Sequence, residues 1–209
     1  MLSTKLALAL LALALGLAAL APRLPHLRRR YDTAALSPIT RRPDADPGDE
    51  ALKARLNSWV RTGAGSGASL LPWATAPVPT PFSHLRLPQR QRNAVCHFGY
   101  RLAGYHQLDE RSRLGGLLYR IGVQLRPLLW FVPRRPDEPW DDAWFDEMDD
   151  QRLAALEHWT PRRPTLIVLD GLPPKRVEQV KTALGIAAGR AEHPIRLLVL
   201  EAQAGHRRM

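Results

Sequence analysis

Apolar residues fall into three patterns along this chain. The first is unbroken: Leu6 to Ala21 reads LALALLALALGLAALA. At about 1.5 Å rise per residue it spans roughly 24 Å, slightly short of a ~30 Å hydrocarbon core. The second pattern has the helical period. Leu52, Leu56, Trp59 and Val60 share one face over residues 49–60. Leu114, Leu117, Leu118, Ile121 and Leu125 line another, and Pro127 stops that helix. Asp141 or Asp142 can cap a third helix, in which Trp144, Met148, Ala155, Leu156 and Trp159 fall near one stripe. Pro173 and Pro174 can open a fourth, carrying Val177, Val180, Leu184, Ala187, Ala188 and Ala191. The third pattern is short and apolar without alternation: Leu128–Val132, Thr165–Asp170 and Ile195–Glu201. Such runs read as strands buried on both faces.

Together these predict an α/β fold: strand, helix, strand, helix, strand, in a small three-layer parallel sheet with right-handed crossovers. The last strand, Ile195–Glu201, is expected at an edge with no further helix to cover it; a protein partner could cover it, or the sheet is small. Residues 62–92 hold small residues and then five prolines between Pro72 and Pro88, which predicts loop and no regular element. Residues 93–109 fit no single pattern. Residues 31–48, rich in Pro and Asp, read as linker. The expected organisation is an anchor at 1–22, a basic and Pro-rich linker at 23–48, a helix with a poorly ordered Pro-rich region at 49–109, the α/β domain at 110–203 and a tail at 204–209.

Charge changes the picture at the amino terminus. Residues 1–136 hold 20 basic and 7 acidic side chains, and residues 137–209 hold 10 and 13. The basic excess lies beside the apolar run. Arg23, Arg28, Arg29 and Arg30 follow it, against Lys5 before it. That asymmetry predicts a single-pass inner (plasma) membrane anchor through residues 6–21, with the rest of the chain in the cytoplasm. Pro22 at +1 of the best small-x-small site, Ala19-Leu20-Ala21, opposes cleavage. The alternative is a cleaved leader and an exported, periplasmic protein with a structural or binding role. One cysteine, Cys96, excludes a disulfide scaffold.

Few residues carry a chemical signal. Asp170 closes the run TLIVLD and is followed by Gly171. Ligands of open parallel sheets sit at the carboxyl ends of strands, and a carboxylate there can hold Mg²⁺. The stretch Thr62–Ser69 is similar to a phosphate loop, G-x-x-x-x-G-K-[ST]. Aligned on Gly67, the first glycine is Thr62, the lysine is Ala68 and the hydroxyl is Ser69. Gly63, Gly65, Gly67 and Ser69 are the candidate nucleotide contacts. The seven histidines form no metal-binding spacing, and Cys96-His97 lacks a second pair. The acids between Asp137 and Asp150 read as a solvated helix start. Arg86, Arg90, Arg92 and Arg101, with Phe98, Tyr100 and Tyr105 nearby, could contact nucleic acid, but this chain has 26 Arg to 4 Lys throughout, so no nucleic-acid partner is expected.

The segment Trp159 to Asp170, W-T-P-R-R-P-T-L-I-V-L-D, resembles bacterial STAND-type P-loop ATPases, and the likeness runs on through Pro173–Ala191 and His193–Glu201. The resemblance implies a P-loop NTPase-like fold, incomplete here, with ATP and Mg²⁺ as ligands and Asp170 supporting the metal. In that family the strand matching Ile195–Glu201 often ends near an arginine that senses the γ-phosphate; here Ala202 and Gln203 follow. The phosphate-loop lysine is missing too. The expectation is therefore a catalytically inactive ATPase-like domain that works as a binding or regulatory module with a protein partner. The alternative is an active hydrolase that takes its lysine from Lys175, Lys181 or a second chain.

Overall fold

The computed structural model of the 209-residue chain describes residues 31–39, 48–61, 81–105, 112–125 and 138–201, with residues 11–13, 16 and 43. The chain divides into two compact units, Met1–Arg30 with Gln107–Glu138, and Tyr31–His106 with Pro139–Met209.

The second unit carries a four-stranded, all-parallel sheet. Its elements in chain order are α1 (Glu50–Arg61), β1 (Phe82–Pro88), a 3-10 turn (Gln89–Gln91), α2 (Arg92–Leu102), β2 (Asp141–Phe145), α4 (Asp150–His158), β3 (Thr165–Asp170), α5 (Pro174–Ala188) and β4 (Ile195–Glu201). Helix α3 (Arg113–Leu125) belongs to the first unit. The strand order is β1-β4-β3-β2.

Side chains alternate across the central strands and so build two cores. Ile167, Leu169, Leu197 and Val199 meet Val177, Val180, Leu184 and Ala187 of α5 and Leu156 of α4. Leu166, Val168, Leu198 and Leu200 meet Leu52, Leu56 and Val60 of α1 and Val95 and Phe98 of α2. Helices on both faces explain why β3 and β4 are apolar throughout. The three-layer α/β arrangement follows from these two cores.

Strands Thr165–Asp170 and Ile195–Glu201 form as the sequence predicts. The run Leu128–Val132 lies outside the described residues, and the other two strands form where none is expected. β1 stands inside the proline-rich stretch 62–92. Its prolines sit only at its ends: Pro88 closes it, and the carbonyl of Pro81, just before it, accepts from Ile195 N at 2.8 Å. As an edge strand it loses no central ladder bond to proline. β2 replaces the amino-terminal half of the helix expected from Asp141 or Asp142. That helix, α4, begins at Asp150 and is capped by Asp149, whose Oδ1 accepts from Arg152 N at 2.6 Å. Of the residues assigned to its stripe, Trp144 belongs to the strand and Met148 precedes the cap.

β4 is interior to the sheet, so the expectation of an exposed edge there is overturned; β1 covers that side. Part of the expected linker, residues 31–39, is structural, since Ala35 and Leu36 are buried in the core cluster that includes α5. That segment meets the outer side of β2, where Trp144 N donates to Ser37 O at 2.8 Å and Tyr31 Oη to Asp142 O at 2.6 Å. The first helical face of the sequence holds: Leu52, Leu56 and Val60 are buried on α1, with Trp59 packed beside them.

Among the described residues no helix is long and apolar enough to cross a membrane. Most of the run 6–21 lies outside those residues.

Candidate functional site

The carboxyl ends of the strands bring Asp170 together with the joint between β1 and α2. The register fixes the level: Asp170 pairs with Leu200, and Leu200 with Leu87. Two strand spacings separate Asp170 from β1, about 10 Å. Only long side chains reach across β4, and the joint supplies two. Gln89 Nε2 donates to Asp170 Oδ1 at 3.3 Å, and Arg92 Nε donates to Oδ2 at 2.5 Å. The Asp170 side chain is 5% exposed, and that of Arg92 is 47% exposed. The Arg92 guanidinium also lies 5.6 Å from the centroid of the Trp144 ring. A cation–π contact and an ion pair therefore hold the same arginine.

Gly171 follows Asp170 at φ 69°, in the left-handed region where a side chain would be strained. Its N–H reaches Leu200 O at 3.2 Å, which turns the chain away from the sheet. Nearby, Arg86 bridges Glu201 (2.9 Å) and Glu178 (3.3 Å). Contacts from Lys181 and Arg86 hold the exposed Glu178 carboxyl below the usual range. Arg86 and Arg92, two of the four arginines weighed for nucleic acid, thus both face carboxylates of this chain.

Gly63, Gly65, Gly67 and Ser69 lie outside the described residues. Their neighbours in the chain are α1 before and β1 after. A phosphate loop joins a strand to the helix that follows it. Beside Asp170, that joint is Gln89–Gln91, which has no glycine and no lysine. Lys181 Nζ is tied to Glu178 at 3.0 Å. Lys175 lines an open groove between α4 and α5 with Leu153, Glu157 and Thr182.

A second polar cluster stands at the amino ends of the strands. Arg162 grips Asp141 with two bonds, Nε to Oδ2 at 2.7 Å and Nη2 to Oδ1 at 3.0 Å. The same guanidinium lies 5.6 Å from the Tyr31 ring centroid. Asp142 is buried beside this pair, and its Oδ2 has no hydrogen-bond partner among the described residues. Burial, and then the charge of Asp141, raise its carboxyl to about 7. Burial also pushes the phenols of Tyr31 and Tyr105 up, with Asp142 and Asp141 adding to it. Among the described residues no group of three or more His, Cys, Asp or Glu side chains is arranged to hold a metal ion.

The place of Asp170 at the end of its strand was legible; its partners Gln89 and Arg92 were not. Gln89 carries no sequence signal at all. Arg92 could have been found only by reading Leu85 and Leu87, alternating with His84 and Arg86, as an edge strand. No protein-family model, no curated protein and no solved structure matches this chain.

Proposed function

We propose that this chain is a membrane-anchored, P-loop-ATPase-like domain that acts as a binding or regulatory module and does not turn over ATP. One observation carries the reading: the carboxylate that would serve Mg²⁺ is engaged on both oxygens by the chain's own Arg92 and Gln89.

Mg²⁺ needs free carboxylate lone pairs, and the triphosphate needs a cradle of backbone N–H groups with a lysine at its end. The residues at this end of the sheet do not fit that pair of ligands. Arg92 neutralises Asp170 from within. The Gln89–Gln91 turn offers no glycine for close backbone approach. Both features favour a closed, self-satisfied sheet end. Such a domain keeps the shape of a nucleotide hydrolase, and its remaining use is recognition by a protein partner. The cytoplasmic inner-membrane setting follows from the charges flanking residues 6–21.

The test is phosphate release from ATP and Mg²⁺ by the full chain in phospholipid nanodiscs, beside Asp170→Ala. The expected result is the same background rate for both. Turnover that disappears with Asp170→Ala would establish the active hydrolase instead.

A further inference from the structure

We propose that the apolar face of α3 lies on an anionic membrane surface, giving the protein a second lipid contact beyond residues 6–21. The proposal deepens the anchored reading above and rests on it.

Helix α3 exposes three large apolar side chains in a row on one face. Leu114 is 75% exposed, Leu117 54% and Leu118 64%. With 100° between successive residues, positions 121 and 125 continue that stripe, and positions 113, 120 and 124 fall along one flank of it. Those flanking residues are Arg113, Arg120 and Gln124. An apolar stripe with cations at its rim is the pattern of a helix lying in the plane of a membrane interface. Thirteen residues make about 20 Å of helix, too little to cross a ~30 Å core. The helix therefore suits the interface and not a span.

Among the described residues, Leu114, Leu117 and Leu118 stand exposed and no residue of α3 belongs to either core cluster. On either side of the stretch that holds α3, Trp140 N donates to Leu102 O at 3.1 Å. In the division of the chain, α3 falls with Met1–Arg30, the part carrying the apolar run.

Charge selects the occupant. Residues 111–136 contain six arginines and no acid, and Met1–Arg30 contains five basic side chains and no acid. A second copy of the chain packed on the leucines would bring arginine rim against arginine rim. Anionic headgroups neutralise that rim.

The experiment uses the full chain with Cys96→Ser, mixed with lipid vesicles, and one fluorophore on an introduced cysteine: Leu117→Cys, Leu13→Cys or Ile186→Cys. Ile186 is exposed on α5 and serves as the aqueous control. In vesicles containing phosphatidylglycerol, the label at 117 is expected to lose most of its emission to a lipid-borne quencher and to resist iodide. In phosphatidylcholine alone that protection should largely vanish, and the label at 186 should remain open to iodide throughout. A label at 117 that iodide reaches and the lipid quencher does not overturns the proposal. So does a label shielded from both, which would mean a protein covers the face. The label at 13 reads the anchor separately: iodide access there sinks the anchored reading, whatever position 117 shows.

Discussion

Arg196 shows how much a single side chain settles in this protein. It is fully buried at the start of β4, yet burial pushes its guanidinium only downward from a high ordinary value, so it stays charged. Its Nε donates to Val60 O at 3.3 Å and its Nη1 to Ile195 O at 3.2 Å. Val60 lies in the last turn of α1, so the cation meets the negative end of that helix and joins it to the sheet. Arg196→Ala removes the charge and leaves a cavity; it should cost about 3 kcal/mol in urea unfolding. A loss under about 1 kcal/mol would mean that the contact is incidental. Asp142 works in the opposite sense. Its carboxyl is raised in the folded chain from 3.8 to about 7. Across that window the folded state holds a proton that the unfolded chain has released, so stability falls as pH rises from about 4 to about 7. Asp142→Asn should therefore stabilise the protein at pH 8 by about 2 kcal/mol and change little at pH 4. Equal effects at both pH values would contradict this account. At the other end of the sheet, Arg92→Ala leaves the buried Asp170 carboxylate without its cation. Since Arg92 is half exposed, the expected loss is modest, about 1 kcal/mol, read by the same unfolding assay.

At the scale of elements, some parts of the fold were legible because one physical cause acted alone. β3 and β4 are apolar at nearly every position because helices cover both faces, and only a buried strand reads that way. α1 and α5 show a clean helical stripe, and α5 begins at its prolines. The two edge strands were hidden because two causes compete in each. In β1 the flanking prolines dominate a weak alternation of Leu85 and Leu87 with His84 and Arg86. In β2 the acids resemble a helix start, while the structure buries Asp141 against Arg162, a partner 21 residues away that no local pattern announces. The true cap of α4 is Asp149. Asp149→Ala should cost about 1 kcal/mol, whereas replacing Asp146, outside the helix, should cost little. A similar loss at both positions would contradict the capping assignment. The candidate site follows the same rule. Asp170 stands at the end of a legible strand; Gln89 and Arg92 stand at the end of an illegible one.

For the whole molecule, the topology decides which residues meet. Order β1-β4-β3-β2 places the first strand next to the last, so the β1–α2 joint arrives beside Asp170 although 78 residues separate Arg92 from it. The same order makes β4 interior to the sheet. The end of the sheet at Asp170 is closed by Arg92 and Gln89 of the chain itself. The most direct measurement is equilibrium titration of Mg²⁺–ATP into the full chain in nanodiscs, with Asp170→Ala beside it. A flat trace for both proteins is the predicted result. Saturable, Mg²⁺-dependent binding that is lost in Asp170→Ala would mean that Arg92 yields the carboxylate to a metal, and the sealed-site account would fail.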